Sequence, residues 1–147
     1  MKKFKAFIAL DCKTNKENIS IVKKLSSQVF GFKVGYRSFY SKDLDKLLDE
    51  IKKNKCLLFL DLKLHDIPNT VTNAINSLSK INPDYLTLHI SGGKAMLDQS
   101  LVAIKKNKLK TKLLGVTLLT SLDKKDSKLI FSEKNTNSLV HKFAKVA

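Results

Sequence analysis

The sequence predicts a parallel α/β fold. Five short apolar runs alternate with five segments of helical spacing, and a polar residue falls at or near the end of every run. The repeat is about 25–30 residues per strand–helix unit, the spacing expected when each strand returns through a helix to a parallel neighbour.

In chain order, residues 4–10 form the first run, mostly apolar and ending at Asp11. Ile19, Val22, Leu25 and Val29 place a helix over 15–28. Residues 30–35 read as the second strand, with Lys33 held between apolar neighbours. Leu44, Leu47, Leu48 and Ile51 mark the next amphipathic helix, capped by Ser41 or Asp43. Residues 56–62 are the third strand, and 67–79 a helix packed through Val71, Ala74, Ile75 and Leu78. Asn82-Pro83-Asp84 is a turn before the fourth strand, 85–90, which has His89 near its end. Ser91-Gly92-Gly93 leads into a helix through Met96, Leu97, Leu101 and Ile104. A P-loop spacing is missing there, so the glycines read as a tight strand-to-helix turn. Residues 113–119 are the fifth strand, reaching Thr120, and 136–146 the last helix.

A chain of 147 residues, 43% hydrophobic and 28% charged, is expected to be one soluble domain spanning 1–147. The net charge of +15 comes almost wholly from lysine, with Arg37 the single arginine. Those lysines are spread over predicted helix surfaces, whereas readers of bases and phosphates favour arginine and stacked aromatics. Nucleic-acid binding is therefore not expected, although the charge would steer an anionic small substrate. Cys12 and Cys56 lack metal-ligand or CxxC spacing and read as reduced, partly buried thiols. Met1-Lys2-Lys3 and the apolar residues after it only loosely resemble a signal peptide, since Lys5 interrupts and no cleavage site follows. With no transmembrane run either, a cytoplasmic protein is expected.

The chemistry gathers in residues 57–70. An apolar run, Leu57 to Leu60, suits a strand buried on both faces. Asp61, Lys63 and Asp66 follow it, and a period of two puts Asp61 and Lys63 on the same side. Asp66, just before Pro68, suits the start of a helix. Charges emerging from an apolar strand are costly unless paired, so a structural ion pair is one reading and a catalytic array the other. Asp11, Lys33, Asp61, Lys63, His89 and Thr120 lie at the C-terminal ends of all five strands. Convergence from every strand is what a (β/α)₈ barrel mouth does, whereas an open sheet concentrates its site at one switch point. A dinucleotide fingerprint is also missing after strand one.

Several segments resemble the orotidine 5′-phosphate decarboxylase family: Ala9-Leu10-Asp11, Phe32-Lys33-Val34-Gly35, Asp61-x-Lys63-x-His65-Asp66-Ile67-Pro68-Asn69-Thr70, and Leu88-His89-x-x-Gly92-Gly93. They occur in the correct order over nearly the whole chain. The DxKxxD core alone also fits sugar-phosphate relatives; the extension through Thr70 is more specific. Metal-dependent relatives place an acidic ligand where this chain has Lys33.

The resemblance implies decarboxylation of orotidine 5′-monophosphate to uridine 5′-monophosphate in pyrimidine biosynthesis, by a lyase without metal or organic cofactor. It implies Lys63 as proton donor to C6, with Asp61 facing the substrate carboxylate and Asp66 completing the charged array. Lys33 and Asp11 would bind ribose hydroxyls, Lys33 also aligning the array, and Thr120 would lie near the pyrimidine. Ile67, Pro68 and Asn69 join the substrate-binding set. A homodimer is implied, with Asp66 and Thr70 contributed across the interface. His89 reads as a hydrogen-bonded support for the network rather than a base; His65 is placed on the surface or at the interface, and His141 on a helix surface. Independently of the resemblance, converging acids would keep Lys63 protonated against desolvation, and a fixed ammonium near developing carbanion charge is electrostatic preorganisation.

A complete barrel needs at least roughly 200 residues. Strands six to eight, and the loops that grip phosphate in this family, have no counterpart here. A truncated N-terminal portion is therefore expected, with the activity of this chain by itself in doubt. The competing readings are a related sugar-phosphate decarboxylase or synthase, a basic nucleic-acid-binding module, and a half barrel that acts by assembling with another copy.

Overall fold

The computed structural model describes residues 4–147. Met1, Lys2 and Lys3, the charged start of the stretch weighed as a signal peptide, lie outside the described residues. The elements run β1 (Phe4–Ala9), α1 (Asn15–Leu25), β2 (Val29–Gly35), α2 (Tyr36–Phe39), α3 (Leu44–Lys53), β3 (Leu57–Leu64) and α4 (Pro68–Leu78). They continue with β4 (Tyr85–His89), a 3₁₀ turn (Ile90–Gly92), α5 (Lys94–Lys106), β5 (Lys112–Val116), α6 (Lys124–Phe131) and α7 (Thr136–Ala144). The strands form one sheet in sequence order, β1-β2-β3-β4-β5, with helices on the crossovers. β2 runs parallel to both neighbours, with Ala9 opposite Lys33, Lys33 opposite Phe59, and Gly35 opposite Asp61.

By its internal contacts the chain divides into two compact units. The first takes the residues up to Leu62, with Leu78–Leu86 and Lys110–Lys112. Its core is built on Leu10, Val22, Phe32, Val34, Leu47 and Leu60, all fully buried. A capping box of Thr14 and Glu17 starts α1 by satisfying two otherwise unpaired N–H groups. Behind it, Asn18 Nδ2 donates to Ser38 Oγ at 2.8 Å and to Asn15 Oδ1 at 3.1 Å, while Ser38 Oγ donates to the Leu10 carbonyl. Asn18 Oδ1 accepts from the Cys12 N–H at 3.2 Å. These buried side chains fix the backbone on either side of Asp11. Asp84 ties together three strand starts. Its N–H donates to Leu58 O at 2.9 Å, its carboxylate accepts the Leu58 N–H at 2.8 Å, and its carbonyl accepts the Lys112 N–H at 2.8 Å.

The second unit comprises Lys63–Ser77, Thr87–Leu109 and Leu113–Ala147. Its core uses Val71, Ile75, Leu88, Ile90, Met96, Ala103 and Leu139. Asp123 caps α6, accepting from the Lys125 and Asp126 N–H groups, and Asn135 caps α7 in the same way.

The expected alternation of strands and helices holds, with local corrections. β1 stops at Ala9 rather than at residue 10, Val29 opens β2 instead of closing α1, and β5 ends at Val116 rather than at 119. Two helices went unpredicted: α2, only four residues long, and α6, whose Leu129 and Ile130 are exposed so that no apolar face announces it. Asp43 is the N-cap of α3, but in a left-handed conformation with its carboxylate on Lys46 Nζ at 2.7 Å. β3 is buried on one face, not both. Leu58, Leu60 and Leu62 are buried, whereas Leu57, Phe59, Asp61 and Lys63 are half-buried. On that second face the Phe59 ring meets Phe7 edge-on at 5.6 Å, and Phe7 meets Tyr85 at 5.5 Å, which covers the strand only in part. Cys12, half-buried, and Cys56, buried, form no disulfide among the described residues. Among the described residues no helix is long and apolar enough to cross a membrane.

Candidate functional site

In the first unit the strand ends bring Lys33 and Asp61 together. Lys33 lies between the buried Phe32 and Val34, so strand alternation turns it to the opposite face. Its Nζ donates to Asp61 Oδ2 at 2.9 Å, with the side chains 28% and 12% exposed. A pair this close and this covered holds the carboxylate in one place. Asp11 is exposed in the loop after β1, beside the end of β2, where a Cβ on Gly35 would sit 3.6 Å from its Oδ1. Arg37 Nη1 donates to the Asp11 carbonyl at 3.2 Å, which anchors the loop and leaves the carboxylate out of that bond.

In the second unit Lys63 departs from the strand geometry that its spacing predicts. Its φ is +44°, in the left-handed region, although it lies within β3. An L-residue pays roughly 1–2 kcal/mol to adopt that conformation. The Lys63 N–H donates to Thr87 Oγ1 at 2.8 Å, and Thr87 is buried in β4. Two residues further along the chain in each case, the His65 ring just beyond β3 and the His89 ring at the end of β4 lie 5.0 Å apart at 37°. His65 Nε2 is 3.4 Å from Ser91 Oγ. A side chain at Gly92 would overlap the Met96 thioether and lie 3.3 Å from the His65 ring, so the turn after β4 holds glycine for a close approach.

Asp66, Ile67, Asn69 and Thr70 are exposed and Pro68 half-buried. Asp66 Oδ1 accepts from the Ile67 N–H at 2.7 Å, and the Ile67 carbonyl accepts the first helical bond of α4, from Val71, at 3.2 Å. Pro68 then stands at the first helical position, where its missing N–H costs nothing. Asp66 thus precedes the helix rather than lying within its first turn. Thr120 is exposed in a turn four residues beyond β5, so the fifth strand does not carry it as the spacing suggests. His141 is on an exposed helix surface, as expected. Thr87 was missed in the sequence. Its one signal is strand alternation, which puts it on the same face as His89. Among the described residues no three His, Cys, Asp or Glu side chains are grouped as a metal site.

His89 is held below the ordinary imidazole range, first by burial, then by the charges of His65 and Lys63 nearby. In the unfolded chain it takes a proton as pH falls through about 6.5. The folded chain takes it only at lower pH, so stability falls below about pH 6.5 and levels off once the lowered folded value is passed. Tm is therefore expected to drop between pH 7.5 and 5.5, and to drop less in His89→Gln. Equal slopes for the two proteins would rule this out.

The model of the Orotidine 5′-phosphate decarboxylase / HUMPS family matches residues 5–147. An orotidine 5′-phosphate decarboxylase of Wolbachia sp. subsp. Brugia malayi (strain TRS) is 40% identical over 139 residues, 95% of this chain and 60% of that protein. One from Erythrobacter litoralis (strain HTCC2594) is 41% identical over 120 residues, 82% of this chain and 52% of that protein. The crystal structure of orotidine 5′-phosphate decarboxylase from Lactobacillus acidophilus superposes with a TM-score of 0.80 at 29% identity, covering 97% of this chain and 66% of that one. An uncharacterized conserved protein from Geobacillus kaustophilus gives 0.85 at 27% identity, covering 96% and 67%. The chain thus spans between half and two thirds of the length of these curated relatives.

Proposed function

We propose that this chain, which belongs to the Orotidine 5′-phosphate decarboxylase / HUMPS family, carries the proton-donor part of an orotidine 5′-monophosphate decarboxylase. The observation that carries the reading is the run Asp61-x-Lys63-x-His65-Asp66-Ile67-Pro68-Asn69-Thr70, which links the end of β3 to the start of α4. The C6–carboxylate bond breaks, carbon dioxide leaves, and the electron pair stays on C6. The Lys63 ammonium delivers a proton to that carbon, forming the C6–H bond of uridine 5′-monophosphate, and the neutral amine regains its proton from solvent. Neither a metal nor an organic cofactor enters these steps.

Asp61 faces the substrate carboxylate. The bond to Lys33 supports this role, because it fixes Asp61 without the substrate being present. Lys33 and Asp11 hold ribose hydroxyls, and Thr120 lies near the pyrimidine. Asp66 and Thr70 serve the site of a second copy in a homodimer, and Ile67, Pro68 and Asn69 between them join the substrate-binding set. The exposure of Asp66 and Thr70 supports this role, since surface residues are free to reach a partner. The excess of lysine steers the anionic substrate, which carries a phosphate and a carboxylate, and the cytoplasm, where such metabolites occur, is the place of action.

Sugar-phosphate chemistry is the second reading, because the Asp61-x-Lys63-x-x-Asp66 core also fits sugar-phosphate relatives. Lys33 speaks against it, standing where an acidic metal ligand would be needed. Loss of orotidine 5′-monophosphate absorbance is the test, run on this chain and on a C-terminally longer form. Turnover yielding uridine 5′-monophosphate is expected. A folded protein that instead acts on hexulose phosphate with magnesium, or binds random DNA with steep salt dependence and no pyrimidine nucleotide, would overturn the proposal.

A further inference from the structure

We propose that Thr87 is the positioning residue of Lys63: its hydroxyl holds the lysine backbone in the left-handed conformation from which the ammonium is presented to the reacting carbon of a pyrimidine nucleotide. The proposal rests on the reading of Lys63 as proton donor.

Six non-glycine residues have positive φ among those described: Asp43, Lys55, Lys63, Asn82, Lys108 and Ser132. Lys55, Lys108 and Ser132 stand within two residues of a helix C-terminus, where a left-handed residue is the ordinary way to turn the chain, Asp43 is the N-cap of α3, and Asn82 lies in the turn before β4. Lys63 alone lies inside a strand. Nothing in a strand rewards that conformation, and an unbranched side chain gains nothing from it. Such a residue persists only when its surroundings over-determine it, and this kind of outlier concentrates where chemistry is done.

Thr87 supplies the determination. It is 6% exposed, and its Oγ1 accepts the Lys63 N–H at 2.8 Å across 24 residues of chain. A threonine in a strand is restricted about χ1, so this acceptor is fixed in direction as well as position. Fixing the N–H fixes the peptide plane from which the lysine side chain departs. Two residues on, the tilted His65 and His89 rings make a second contact between the same two segments. The backbone is thus held at the kink and again two residues beyond it.

Thr87→Val keeps the shape and removes the acceptor, whereas Thr87→Ser keeps the acceptor. In the ¹⁵N-labelled chain, the Lys63 amide is expected to exchange slowly and to show the strong intraresidue HN–Hα cross-peak of a positive φ. Thr87→Val should speed that exchange at least about tenfold and weaken the cross-peak, and Thr87→Ser should preserve both. In a form that turns over, Thr87→Val should lower kcat about tenfold to a hundredfold, the scale of a small misplacement of a reacting group. KM should stay within about threefold, as for an interaction used in the transition state rather than in binding. Thr87→Ser should restore kcat. An unchanged exchange rate and cross-peak in Thr87→Val would overturn the proposal. So would a wild-type Lys63 amide exchanging as fast as an exposed loop, which is readable even if Thr87→Val does not fold. Turnover surviving Lys63→Ala would overturn the donor reading instead, and the backbone measurement would still report on Thr87.

Discussion

On the proposed reading of Lys63, Lys63→Ala in a form that turns over orotidine 5′-monophosphate is expected to cut the rate by at least about a thousandfold, the loss expected when a proton donor and a fixed positive charge go together. The same substitution should leave the fold intact, because the side chain it removes is half-buried at a strand end rather than part of the core. Lys63→Gly provides the sharper comparison. Glycine adopts the observed φ of +44° without the steric penalty that alanine keeps. Lys63→Gly should therefore be more stable than Lys63→Ala by about 1 kcal/mol, read from urea midpoints, while being just as inactive. Activity and stability would then separate at a single position, as they do where strain is kept for function. Residual turnover in Lys63→Ala near the wild-type rate would remove this residue from the chemistry.

The largest loss of stability is expected at Gly31→Ala. Gly31 lies in β2, opposite Phe7 on one side and Leu57 on the other. A Cβ there would overlap the Leu57 carbonyl oxygen and stand 2.7 Å from the Phe7 ring. The ring can rotate away, but the carbonyl belongs to the neighbouring strand. Making room therefore means parting β2 from β3 beside the strand ends that carry Lys33 and Asp61. Overpacking of this kind costs about 3 kcal/mol, a fall in Tm of roughly 10 °C for a chain of this size. Trimming the ring in Phe7→Leu should recover only part of it. A Gly31→Ala protein within about 1 °C of wild type would show that the strands separate easily, contrary to a closely paired sheet.

These two positions mark the division between what could be read from the residues and what could not. Residues 30–35 are legible as a strand because their neighbours are apolar, yet nothing local says that Gly31 faces a carbonyl on another strand. Asp61 and Lys63 stand out because charges at the end of an apolar run are costly. Strand alternation then puts both on one face, but it assumes an extended backbone, and Lys63 is not extended. Asn15 and Asn18 in α1 and Ser38 in α2 look like ordinary polar residues of two helices. Their hydrogen bonds, which fix the backbone around Asp11, join groups 20 to 28 residues apart.

The sequence by itself determined the order of the five strands and of the long helices between them, the family, and which charges stand near the strand ends, because these follow from side-chain periodicity and from motifs contiguous in the chain. The tertiary structure alone decided that Lys33 is bonded to Asp61, that Lys63 turns left-handed under Thr87, and that β3 is buried on one face only. Each of these depends on an atom brought in from a distant part of the chain, and local periodicity carries no record of that.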